Sequence, residues 1–372
     1  MNRLWHEIEN SNRQVSAFLV TDPKNIFYLS QFTGEGILLS TPEKNYLITD
    51  SRYAEQANLE AKCCQVIIQE LKRDDAQTEA LCELVDQLRV KELGFEENFL
   101  QVSPYLKYLK RMSQYQFHPL SDIIEKMRMI KDLPEIEIMK KSAHIATHSF
   151  VQTLVSLKEG VSELAIAAQL NYNMRKNGAK KEGFDLIVTS GKRGILIHGS
   201  PSEKKIVKNE LIIIDFGCIY DMYNSDCTRT VLLGNASQEQ KNIYNIITHA
   251  QVETLQEVKP GKRCCDLDSF ARNLIEKSGY GSYFSHSLGH GVGLDIHELP
   301  RLSLYDQTVL EPGMVVTVEP GIYIPNVGGV RIEDTVLVTE NGCQVLTQLP
   351  KELTVSAYLD YKFHEGIHDR LI

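Results

Sequence analysis

Through the first third of the chain, short apolar runs with a period near two alternate with stretches of helical period. VSAFLV (15–20), GILLS (36–40), NYLIT (45–49), CQVIIQE (64–70) and KELGFEE (91–97) read as strands. Thr41-Pro42-Glu43-Lys44 between two of them reads as a hairpin turn, and Gly34-Glu35-Gly36 as another turn, too short for a phosphate loop. Asp22-Pro23 opens a short segment, KNIFYLSQF. Asp50 and Ser51 are caps for a helix running through Tyr53 and Ala54 toward Ala61. Residues 75–90 place Leu81, Leu84, Val85 and Leu88 on one helical face. Arg52 and Trp5 read as exposed side chains. The pattern predicts a small α/β domain over 1–124. It gives way near SDIIEKMRMIKDLPEIE, where Asp132-Leu133-Pro134 starts a charged helix and a second domain runs over 125–372.

The second part repeats itself. Shifting it by 101 residues lays Ile145, Thr147, His148, Val151, Leu154 and Gly160 on Ile246, Thr248, His249, Val252, Leu255 and Gly261, and Lys176 and Gly178 on Lys277 and Gly279. Each copy reads as a long helix, a glycine turn, a second helix ending at glycine, then strands. His148 and His249 read as packing residues. With loops allowed to drift, His198 matches His297, and Asp215 and Asp226 match Glu319 and Glu333. Such a repeat argues for two halves packed about a pseudo-twofold axis, with paired side chains facing each other between them.

Charge in the wrong place is the chemical signal. Asp215 follows Leu211-Ile212-Ile213-Ile214, a run that reads as a strand buried on both faces. Asp226, His290, Glu319 and Glu333 lie beside similar β-branched runs. Ionised carboxylates are seldom buried unless paired or bound to metal. Four of them close together call for about two divalent ions to offset the charge. An oxygen-rich set with one imidazole suits Mn²⁺ or Co²⁺, with Zn²⁺ a possible occupant. Two such ions activate a water and polarise a carbonyl.

Composition narrows the classes. The net charge of −9 argues against a nucleic-acid partner. No run of eighteen apolar residues predicts a membrane span, and the polar start MNRLWHEIENSNRQ predicts no secretory leader. The eight cysteines form no Cys-x-x-Cys motif and read as free thiols of a cytoplasmic protein, with Cys218 and Cys227 as packing residues.

In DFG…SDCTRT, GHGVGL, HE-x-P, VEPGIY and GGVRIED, in that order, the chain resembles the pita-bread metallopeptidases: Xaa-Pro dipeptidases (prolidases), aminopeptidases P and, more distantly, methionine aminopeptidases. The resemblance implies an α/β (α+β) chain with a creatinase/prolidase-type N-terminal domain and a pseudo-twofold pita-bread catalytic domain. It implies that Asp215 binds one metal, that Asp226 and Glu333 bridge both, and that His290 and Glu319 bind the other. It gives Glu319 the transfer of a proton to the leaving nitrogen, and puts His198 and His297 at the scissile carbonyl, where an oxyanion needs donors. Arg301, after His297-Glu298-Leu299-Pro300, stands where prolidases hold the substrate's terminal carboxylate. Tyr223 and Tyr323 are candidates for the pocket wall, Tyr323 equally for packing, and Arg331 for bracing Glu333 or Asp215. The implied substrate is a small peptide with proline second, and the implied assembly a homodimer. One departure stands out: relatives often carry SG-x-N before the first histidine, whereas this chain has Ser190-Gly191-Lys192-Arg193. Aminopeptidase P activity is the alternative. A non-catalytic binding module and creatinase-like chemistry are disfavoured because the metal set is intact.

Overall fold

The computed structural model describes residues 3–11, 14–70 and 76–361. The chain forms two compact units, Met1–Arg128 and Met129–Ile372.

In the first unit, β1 (Ala17–Val20), β2 (Ile37–Ser40), β3 (Asn45–Asp50), β4 (Cys64–Gln69), β5 (Glu92–Glu96) and β6 (Gln116–Leu120) make one mixed sheet in the order β4-β3-β2-β1-β5-β6. Alternation along β1 sends Phe18 and Val20 into one apolar layer and Ala17 and Leu19 into the other, so helices cover both faces. The segment after Asp22-Pro23 is a helix, Pro23–Ser30, capped by the Asp22 side chain on Lys24 N. The predicted helix at 75–90 is Ala76–Gln87; its first residue lies outside the described residues. Trp5 departs from expectation. It is 4% exposed, because helix Arg3–Asn10 turns Leu4, Trp5 and Ile8 inward, and its indole N–H donates to Ser40 Oγ at 3.1 Å. A single aromatic in a polar stretch reveals no face; the helix does.

The second unit shows the repeat. Helices Leu133–Leu154 and Gln238–Glu257 both start with a capping box, Asp132 with Glu135 and Ser237 with Gln240. The matched turn glycines, Gly160 at φ +86° and Gly261 at φ +85°, have open space where a Cβ would sit. Left-handed backbone, not crowding, is what demands glycine there. The second helices of the two halves are Glu163–Lys176 and Cys264–Lys277.

The strands that follow are β7 (Lys181–Glu182), β8 (Ile187–Ser190), β9 (Leu211–Phe216), β10 (Cys218–Tyr220), β11 (Tyr223–Asn224) and β12 (Cys227–Leu232) in the first half. The second half has β13 (Gly289–Gly291), β14 (Glu298–Leu302), β15 (Val315–Val318), β16 (Gly321–Ile324), β17 (Gly328–Arg331), β18 (Asp334–Thr339) and β19 (Gly342–Val345). The sheet β12-β9-β8 is mirrored by β13-β15-β18 at the centre of β14-β13-β15-β18-β19, and a hairpin interrupts each half, β10–β11 in one and β16–β17 in the other.

Period-two alternation then sorts the side chains. Ile212, Ile214 and Phe216 of β9, and Cys227 and Val231 of β12, pack with helix residues such as Phe150, whose ring stacks on Phe216 at 4.7 Å. Val316 and Val318 of β15 and Val336 and Val338 of β18 pack likewise with Leu267 and Ala271. The intervening positions face the other way, and Asp215, Asp226, Glu319 and Glu333 all fall on that side. Among the described residues no helix is long and apolar enough to cross a membrane, and all eight cysteines are free.

Candidate metal centre

Each half delivers its two acids from equivalent places. Asp215 is the fifth residue of β9 and Glu319 follows the last residue of β15; Asp226 directly precedes β12 and Glu333 directly precedes β18. His290 comes from β13. Its Nδ1 lies 3.1 Å from the Gly291 carbonyl, which fixes that nitrogen as the donor and leaves Nε2 facing Asp226 Oδ2 at 3.5 Å and Glu319 Oε1 at 3.4 Å. Asp226, His290 and Glu333 present ligand atoms that all lie within 4.8 Å of one another.

These residues line one cavity of about 450 Å³ together with Asp215, Glu319, His198, His297 and Arg301. Tyr223, expected on its wall, is elsewhere. It is buried on β11 with its hydroxyl donating to Glu135 Oε1 at 2.6 Å. The next residue, Asn224, points the opposite way and donates to the carbonyls of Gly293 and Leu294. Phe184, Ile187, Ile197 and Ile296 supply the apolar wall.

Arg331 reaches the site as a brace. Its guanidinium donates to Asp215 Oδ2 at 2.6 Å, Thr228 Oγ1 at 3.1 Å, the Tyr323 hydroxyl at 2.8 Å and the Ile197 carbonyl at 3.2 Å. Thr228 directs its own proton to Glu333 Oε2 at 2.7 Å. Tyr323 thus serves the brace and lines no part of the cavity. His286 is a wall residue that the sequence reading misses; its Nε2 lies 3.0 Å from the Tyr323 hydroxyl. The only sequence hint is its place four residues before His290 in FSHSLGHG.

Two carboxylate oxygens, Asp215 Oδ1 and Glu333 Oε1, are buried with no hydrogen-bond partner. Burial, then repulsion from Glu333, Asp215 and Glu319, pushes the Asp226 carboxyl well above its ordinary range. Burial, with Glu319 adding, does the same to Glu333; at Asp215 burial raises the pKa against the opposing pull of Arg331, and Glu319 adds to the rise. At Glu319 burial is outweighed by His290, and its pKa is lowered; at His290 burial is outweighed by Glu319, and its pKa is raised. Left to itself the cluster therefore favours proton uptake at three of its acids and pairs the fourth, Glu319, with His290. Orphaned acceptors, a lone imidazole nitrogen and a surplus of carboxylates are together the donor set of a hard or borderline divalent cation.

The model for metallopeptidase family M24 matches residues 137–340, and that for the creatinase/prolidase N-terminal domain matches residues 8–130. The Xaa-Pro dipeptidase of Pyrococcus horikoshii is 41% identical over 352 residues, spanning 91% of this chain and 94% of that protein. Among solved structures, an Xaa-Pro dipeptidase from Bacillus anthracis superposes with a TM-score of 0.91 at 40% identity, covering 95% of this chain and 98% of the other. An X-Pro aminopeptidase from Thermotoga maritima gives 0.87 at 38% identity, covering 93% and 99%.

Proposed function

This chain belongs to metallopeptidase family M24, and from that footing we propose that it hydrolyses the amide bond before proline in Xaa-Pro dipeptides. One observation carries the choice of a dipeptide. In the β13–β14 pairing Arg301 sits directly opposite His290, one strand away from the acid cluster. Its guanidinium has no hydrogen bond or ion pair among the described residues; only its backbone is engaged, the N–H with Asp306 and the carbonyl with Ser303 N. Adjacent strands are about 4.8 Å apart. A dipeptide's carboxylate lies one residue beyond the scissile carbonyl, a span of about 3.5 Å. A carbonyl over the acid cluster thus brings the terminal carboxylate under Arg301, and a longer peptide drives its next residue into that side chain.

Asp215, Asp226, His290, Glu319 and Glu333 are the residues that would hold two divalent ions, Mn²⁺ or Co²⁺ by donor chemistry. When bound, such ions supply a water acidified to near neutral pKa and a polarised scissile carbonyl. The protein's own groups do the rest. His198 and His297 offer N–H donors to the carbonyl oxygen as it gains negative charge. Burial, then the neighbouring His290, lowers the His297 pKa, so it donates as a neutral ring. The carboxylate of Glu319 accepts the nucleophile's proton and returns it to the proline nitrogen as the bond opens. Arg331 keeps Asp215 in place throughout.

The assay compares Ala-Pro and Leu-Pro with the tripeptide Ala-Pro-Ala in the presence of Mn²⁺ or Co²⁺. Dipeptides are expected to be cleaved faster; preference for the tripeptide would instead favour aminopeptidase P, a reading supported by the likeness to the Thermotoga maritima aminopeptidase. Arg301→Gln is expected to raise KM for dipeptides about tenfold or more, the value of a hydrogen bond to a charged group, and to narrow the preference over tripeptides. An unchanged KM would remove Arg301 from carboxylate recognition.

A further inference from the structure

Among the cavity's side chains, His198 is exposed and has no hydrogen bond to any described residue, so its position depends on its backbone. That backbone is held from an unexpected direction. Glu163, the first residue of helix Glu163–Lys176, is 0% exposed and lies off the cavity wall. Its Oε1 accepts from Ser190 N at 2.7 Å and Ser190 Oγ at 2.9 Å. Its Oε2 accepts from Arg193 Nε at 3.0 Å, Ser202 N at 3.2 Å and Ser202 Oγ at 2.7 Å. One carboxylate thus fastens both ends of the loop 190–202. Arg193, oriented by that contact, donates through Nη2 to the Ser200 carbonyl at 2.7 Å, two residues past His198. On the other side of His198, Arg331 holds the Ile197 carbonyl. Arg193 belongs to the Lys192-Arg193 pair that replaces the SG-x-N pattern.

We propose that Glu163 is a positioning residue for catalysis: through Arg193 and the loop ends it sets where the His198 imidazole meets the substrate. The inference rests on the reading of His198 as a donor to the scissile carbonyl. A buried anion gripping five donors is rigid, and removing its charge leaves Arg193 without its ionic partner and the loop free to shift. A displacement of about 1 Å at a donor costs up to about a hundredfold in rate.

The test is a double-mutant cycle on the metal-loaded protein with Ala-Pro: wild type, Glu163→Gln, His198→Ala and both together. Glu163→Gln is expected to lower kcat about tenfold with a smaller change in KM, and amide hydrogen exchange over 191–200 is expected to quicken while bound metal stays constant. In the His198→Ala background the same change is expected to cost less than about twofold, because the group it positions is gone. An equal cost in both backgrounds, or a Glu163→Gln variant with wild-type kcat, overturns the proposal. A His198→Ala variant with full activity would instead overturn the role of His198 on which it rests. If Glu163→Gln does not fold, Arg193→Gln, which is partly exposed and leaves the carboxylate in place, is read by the same cycle.

Discussion

Asp226→Asn is expected to move activity and stability in opposite directions. Substitutions one shell beyond a metal cost 10–100-fold, so loss of a ligand is expected to lower kcat by roughly 10³-fold or more and to reduce bound metal. In the chelated protein the same change removes one acid from a cluster that burial and mutual repulsion already drive toward protonation. Raised carboxyl pKa values mean that the folded, metal-free chain holds protons which the unfolded chain has released. The contribution of these three acids to stability is therefore greatest below the ordinary carboxylate range and is lost as pH rises through the raised values of Asp226, Glu333 and Asp215. Chelated wild-type protein is expected to show a Tm that falls as pH rises above the ordinary carboxylate range. Chelated Asp226→Asn is expected to melt higher and with a shallower slope, whereas metal flattens the profile of wild type alone. Calorimetry with and without chelator, beside a dipeptide assay, checks both halves. Retained turnover in Asp226→Asn removes this residue from the metal set.

The second large effect is on stability and comes from the outer face of the same strands. Arg229 and Asp334 are paired at 2.8 Å with both side chains fully buried. Arg229 also donates to the carbonyls of Glu333, Leu349 and Pro350, and Asp334 accepts from Lys351 and Gln251. Asp334→Ala strands a buried guanidinium and is expected to cost about 3–5 kcal/mol, a fall in Tm of roughly 10 °C at this unit's size. Burial opposes ionisation of Asp334, but Arg229 and Lys351 prevail and its pKa is lowered. Its contribution is accordingly present above the ordinary aspartate range and lost as pH falls through the lowered value. A chelated-state Tm within two or three degrees of wild type would show the pair to be dispensable. Because Arg229 holds the Glu333 carbonyl at 2.5 Å, the variant is also expected to bind metal more weakly.

The acid cluster and the two-half architecture are legible in the sequence because each leaves a local mark. An aspartate inside LIIIDF contradicts its surroundings, and the matched glycines at Gly160 and Gly261 carry the backbone requirement of their turn in their own identity. Tyr223 and Trp5 mislead because exposure depends on partners far away in sequence: Glu135 for one, Ser40 for the other. Glu163 leaves no mark, since a glutamate at a helix start is satisfied by the helix end itself. Its grip on Ser190, Arg193 and Ser202 exists only once the loop has folded back. Arg331 can be assigned a bracing role from GGVRIED, but which acid it serves depends on the crossing from β17 to β9.

The order of the acids along the chain has a consequence for how the protein is made. Asp215 and Asp226 leave the ribosome long before His290, Glu319 and Glu333, and neither half alone presents more than part of the donor set. The full donor set therefore comes together only after Glu333 has emerged and the two halves have packed. A chain truncated before Glu333 lacks the acid that completes the cluster with Asp226 and His290.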